Sequence, residues 1–92
     1  MIDELVMSFD STQQALRAEM LLEYYDIEID IRPTPKAITA GCALSIGFQQ
    51  DDLDQVVSVI HSEKVEIKGI FKERNDHFDL IIASTIGGYF NA

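Results

Sequence analysis

Cysteine is almost missing from this chain. One residue, Cys42, stands among 92, so no disulfide can close within the chain. Histidine is nearly as scarce. His61 and His77 lie far in sequence from Cys42 and from each other, so no set of residues has metal-site spacing, and no motif for an organic cofactor is present. Basic residues are few: 7 Lys and Arg stand against 16 Asp and Glu, a net charge of −9. Such a surface lacks the cations that hold phosphates, which excludes nucleic acid and anionic membranes as partners. It is instead the solvated surface that keeps a small protein in solution. No apolar run approaches the ~18 residues of a membrane span. The start, Met1-Ile2-Asp3-Glu4-Leu5, lacks the basic flank of a signal peptide, so the expected location is the cytoplasm. Low-complexity segments are missing too.

What is present suffices for one modest core. Apolar residues make up 47% of the chain. The length predicts a single domain over 1–92, with a core at about 4–72 and a C-terminal hairpin strand and tail over 73–92. Residues 4–9 alternate as a strand, with Leu5, Met7 and Phe9 on one face and Val6 and Ser8 on the other. Ser11 and Gln14 form a capping box that starts a helix running to about Tyr24. Its inward stripe is Ala15, Ala18, Leu22 and Tyr25, widened by Leu21; Asp26 stops it. Ile27, Ile29 and Ile31 alternate with Glu28, Asp30 and Arg32 in a second strand, and Cys42, Leu44, Ile46 and Phe48 share one face of a third. Asp51 or Asp52 caps a second helix carrying Leu53, Val56, Val57 and Ile60. Residues 65–72 make a fourth strand, with Val65, Ile67, Gly69 and Phe71 on one face. A turn at Arg74-Asn75-Asp76 leads into a fifth strand over 77–85.

This order predicts an α+β fold: a ferredoxin-like split βαβ sandwich (βαββαβ) with an added C-terminal strand. Its first four strands lie in the order 4-1-3-2, with both helices on one face. Apolar residues on both faces of the first strand call for cover on the open sheet face, as a homodimer would supply.

The two prolines, Pro33 and Pro35, fall in the connection between the second and third strands, which also holds Gly41 and Cys42. They forbid a helix and a central ladder position, and they stiffen the loop. The topology brings the end of the first strand, the start of the first helix and the start of the third strand to one sheet edge. Cys42 is therefore expected beside Ser11 and Thr12, at a helix N-terminus whose free N–H groups and dipole favour a thiolate. Arg32 and Lys36, near in sequence, favour it as well, whereas Asp10 opposes it. Composition and spacing alone favour an inert Cys42, since free cysteine is usually a small buried hydrophobe and this one shares its face with Leu44, Ile46 and Phe48. No histidine is expected near Cys42, which disfavours a thiol enzyme.

Three segments resemble the selenium/sulfur (Se/S) carrier protein-like family, a group of small proteins of roughly this length. They are Phe9-Asp10-Ser11-Thr12 with Ala15-Leu16 and Ala18-Glu19; Arg32-Pro33-Thr34-Pro35-Lys36 with Ile38-Thr39 and Cys42; and Leu44–Phe48 leading to Asp52-Leu53. The Pro-Thr-Pro-basic stretch with a cysteine seven residues after its second proline is the most specific of these. Two positions depart from the family pattern: Ala43 follows the cysteine where Gly is usual, and Asp10 stands where Pro is common. The resemblance implies that Cys42 holds sulfur or selenium as a persulfide or selenosulfide. Ser11, Thr12, Arg32, Lys36, Thr39 and Gly41 are the expected supporting residues around Cys42, and the resemblance implies handover between donor and acceptor proteins without a cofactor. The alternative is a non-catalytic interaction or regulatory module in which Cys42 is inert. Either way, a carrier or binding protein is expected rather than a stand-alone enzyme.

Overall fold

The computed structural model describes residues 4–74 and 77–82. Strand β1 (Glu4–Ser8) is followed by helix α1 (Thr12–Tyr24), β2 (Ile29–Pro33) and β3 (Leu44–Gln49). A 3-10 turn at Gln50–Asp52 leads into α2 (Leu53–Ser62), then β4 (Gly69–Arg74) and β5 (His77–Ile82). The fold is α+β, with two helices and a five-stranded antiparallel sheet. Four strands alone would run 4-1-3-2; this sheet carries five, in the order β2-β3-β1-β4-β5, with β5 outside β4. Residues 75–76, the fifth strand beyond 82, and the Gly-Gly and Tyr-Phe tail fall outside the described residues, as do residues 1–3.

Strand β1 lies between β3 and β4. Leu5 stands opposite Phe48, and Met7 stands opposite Ile46 on one side and Ile70 on the other. These residues join Ala15, Ala18 and Leu22 of α1 and Val56, Val57, Val59 and Ile60 of α2 in one buried cluster. Burial of the Val, Leu, Ile, Met and Phe side chains among them contributes on the order of 1.5–3 kcal/mol each. The small alanines bring α1 close to the sheet. The opposite face also buries Val6, Ser8 and Ser45. Arg32 and Glu4 lie over Gly47 there, and Leu80 and Phe71 lie against Gly69. That burial is reached within one chain, so the pattern of β1 does not by itself call for a second subunit.

Several element boundaries differ from the alternation in the sequence, for one reason. Both helices end in the same motif. In α1, Asp26 N–H bonds Glu23 C=O and Ile27 N–H bonds Leu22 C=O, each at 3.0 Å. In α2, Lys64 N–H bonds His61 C=O at 3.2 Å and Val65 N–H bonds Ile60 C=O at 3.0 Å. These are the paired bonds of a Schellman ending, closed by a left-handed residue and an apolar residue packed back on the last turn. The left-handed residues are Asp26 (φ 61) and Lys64 (φ 56). Ile27 and Val65, which alternate like strand residues, are these buried apolar closures. The chain then bends at Lys68 before β4 begins. The phase shifts there, so Ile70 rather than Phe71 faces Met7 and the core. At the other helix ends, Ser11 Oγ accepts Gln14 N–H at 3.4 Å, but the Gln14 side chain accepts Glu66 N–H instead of closing the capping box. Asp52 occupies the N-cap position of α2 without a side-chain cap bond.

A left-handed conformation costs a non-glycine residue about 1–2 kcal/mol, against about 0.5–1 kcal/mol of extra unfolded-state entropy for glycine. Lys64→Gly is therefore expected to raise stability by about 0.5–1 kcal/mol and Lys64→Val to lower it. Urea denaturation midpoints of the two variants measure both, and a Lys64→Gly protein less stable than its parent would refute the assignment.

Candidate functional site: the Cys42 loop

The connection from β2 to β3 is held at its far end by β1. Cys42 N–H donates to Phe9 C=O at 3.0 Å, and Gly41 N–H donates to Asp10 Oδ1 at 3.0 Å. Gly41 is required by this approach: a Cβ there would lie 2.5 Å from Asp10 O, a backbone atom. On the near side, Thr34 N–H bonds Ala43 C=O at 2.8 Å, and Thr34 Oγ1 donates to Cys42 C=O at 3.0 Å. The Thr34 hydroxyl also meets Ser45 Oγ at 2.7 Å, and Ser45 meets Ser8 at 3.2 Å. This chain of hydroxyls satisfies polar groups that burial would otherwise leave costly. Ile38, buried within the loop, donates its N–H to Pro35 C=O at 3.0 Å.

These ties set the cysteine sulfur at the start of α1. Cys42 Sγ lies 3.3 Å from Thr12 Oγ1 and accepts Leu44 N–H at 3.4 Å. Cys42 precedes β3 rather than opening it, as the alternation had suggested, because the ladder begins at Leu44. It is 3% exposed and packs in the core cluster. Its neighbours Thr12, Gly41 and Ala43 are all exposed.

The residues expected around Cys42 separate into two groups. Thr12, Ser11 and Gly41 converge on it: one at the sulfur, one capping the helix, one beside it in the chain. Arg32 is committed elsewhere. It pairs with Glu4 at 2.5 Å and Asp30 at 3.0 Å. Burial alone would lower its pKa, but hydrogen bonds and charge from Asp30 and Glu4 outweigh this and raise it, so the guanidinium stays charged and occupied. Lys36 and Thr39 are exposed on the loop. Thr34, not foreseen as a site residue, is the side chain that joins loop, β3 and hydroxyl chain. Its only signal in the sequence is a hydroxyl between two prolines. Asp10, expected as an opposing charge, serves as the acceptor for Gly41. Tyr25, expected in the inward stripe of α1, lies outside the core at 41% exposure and meets the exposed Tyr24 edge to face with ring centres 5.2 Å apart, because the helix has already ended and the chain turns there.

The geometry defines a small α+β protein with one buried thiol beside the start of a helix. Residues 4–72 match the family described as "Putative Se/S carrier protein-like". The chain belongs to that family. No curated protein and no solved structure matches it. Among the described residues, no helix is long and apolar enough to cross a membrane.

Gly41→Ala drives a methyl into the Asp10 carbonyl, and overpacking of this kind costs about 1–3 kcal/mol. The expected result is a lower urea midpoint together with faster Cys42 alkylation, as the loop is pushed off β1. Parent-like values for both would mean that the approach of Gly41 to Asp10 is unimportant.

Proposed function

We propose that this protein is a sulfur or selenium carrier that holds the chalcogen on Cys42, displayed on a ferredoxin-like framework. The observation that carries this is the placement of the Cys42 sulfur between the Thr12 hydroxyl and the Leu44 N–H, at the N-terminus of α1. Negative charge on sulfur is favoured at a helix N-terminus. In the proposed step, the Cys42 thiolate attacks the outer sulfur of a donor persulfide, R–S–S–H. The donor S–S bond breaks, R–S⁻ leaves, and Cys42–S–S–H remains. No net oxidation or reduction occurs, so no cofactor is needed. Selenium follows the same exchange as the outer atom. Family membership supports the reading, and so does the lone cysteine, because there is no second thiol in the chain to discharge the persulfide as an internal disulfide. Burial shields the loaded sulfur from cellular thiols, and the exposed rim at Thr12, Gly41 and Ala43 is the point of entry. Donor and acceptor proteins are the partners this chemistry requires.

One observation favours a second reading. At 3% exposure, within the core cluster, Cys42 also fits an inert packing residue in an interaction module. The two readings part on one experiment. The folded protein is incubated with glutathione persulfide and its intact mass is measured. The carrier takes up the mass of one sulfur atom, releases it to dithiothreitol, and loses the ability in Cys42→Ser. Uptake only in denaturant assigns Cys42 to the core and ends the carrier proposal.

A further inference from the structure

Helix α1 carries a second apolar stripe on the side away from the core. Leu16 is 53% exposed, Met20 65% and Tyr24 79%. They are spaced by four residues, so they form one row along the helix surface, and Thr12 stands in the same row one turn before Leu16. The row spans roughly 18 Å at about 1.5 Å per residue and ends at the hydroxyl that touches Cys42 Sγ. An exposed apolar row of this kind marks an interaction surface. Glu19 and Glu23 flank it. Arg17, on the other flank, is turned to donate to Glu63 C=O at 2.7 Å. Two carboxylates against one guanidinium leave the rim with a net acidic charge.

Resting on the carrier reading above, we propose that the Leu16–Met20–Tyr24 row is the docking surface for the protein that delivers sulfur to Cys42. That donor presents its persulfide next to an apolar patch rimmed by Lys or Arg. Two arguments select this occupant over a second copy. Isologous pairing across the row would set Glu19 and Glu23 against their own images, in a chain of net charge −9. Three side chains also expose much less than the ~800 Å² per partner of a stable interface. A short-lived contact is what a donor that must depart after transfer requires. The stripe lies outside the core and the loop, so its substitution does not disturb the thiol.

The test compares two sulfur sources. A cysteine desulfurase charged with L-cysteine is the protein donor, and glutathione persulfide is the small donor that needs no docking surface. Loading of Cys42 is followed by intact mass. Met20→Gln with Tyr24→Gln, and separately Glu19→Lys with Glu23→Lys, should each slow loading from the desulfurase at least tenfold and leave loading from glutathione persulfide within twofold. Raising salt should slow the parent's loading from the desulfurase alone. Equal desulfurase loading of parent and variants overturns the docking surface but leaves the carrier standing. A dimeric parent that Met20→Gln with Tyr24→Gln makes monomeric places a second copy on the row and also overturns it. A parent that accepts sulfur from neither source brings down the carrier reading itself.

Discussion

The hydrogen bond from Cys42 N–H to Phe9 C=O decides where the thiol sits. Strands β1 and β3 are antiparallel neighbours, and this bond carries their pairing past the last paired residues, Ser8 and Ser45. Because Phe9 lies three residues before the first residue of α1, whatever is held to Phe9 is held to the helix start. The Gly41–Asp10 bond adds a second point on the same side, and Thr34 fixes the loop from the other. Buried hydroxyls on Ser8 and Ser45 extend that support across β1 and β3. Without the central pairing, neither the sulfur's neighbours nor its burial would follow.

Much of this arrangement was legible in the sequence because it depends on order and period. The alternation in residues 4–9, the Ser11 cap and the alanines of α1 fix a strand running into a helix. The topology then puts the start of β3 at that helix, so the neighbourhood of Cys42 and Thr12 could be inferred before any contact was visible. What was not legible depends on partners that periodicity does not name. Ile27 and Val65 alternate as strand residues would, yet the left-handed Asp26 and Lys64 fold them back onto the helices. Neither Asp nor Lys announces such a conformation as glycine does. Arg32 looked available to the thiol, but its charge is spent on Glu4 and Asp30. Leu16 and Met20 carry no signal of their own, because α1 is apolar on two sides and periodicity does not name the side that stays exposed.

Asp10 ties the entry of α1 to the cysteine loop. A proline at this position would stiffen the entry to α1 through its ring. The aspartate stiffens it through a carboxylate that accepts the Gly41 N–H. Gly41 itself precedes the cysteine, and its bare Cα is what lets the loop come against the Asp10 carbonyl. The carboxylate of Asp10 and the missing side chain of Gly41 meet in one contact.

The ties around Cys42 also set how often the thiol is presented. Lifting it free breaks the bonds to Phe9 and Asp10 and the bond from Thr34. At about 1 kcal/mol net for each, with the burial of Cys42 and its sulfur contacts in addition, opening costs upwards of about 3 kcal/mol, so the closed form is favoured by a factor of at least about a hundred. A small thiol that strikes at random meets the closed form almost every time, and its reaction is slowed by that same factor. A docked protein of the kind proposed above, if it favours the open loop, would recover the factor from its own binding energy. If the protein is the carrier proposed above, selectivity between random chemistry and directed transfer would reside in this equilibrium of the loop.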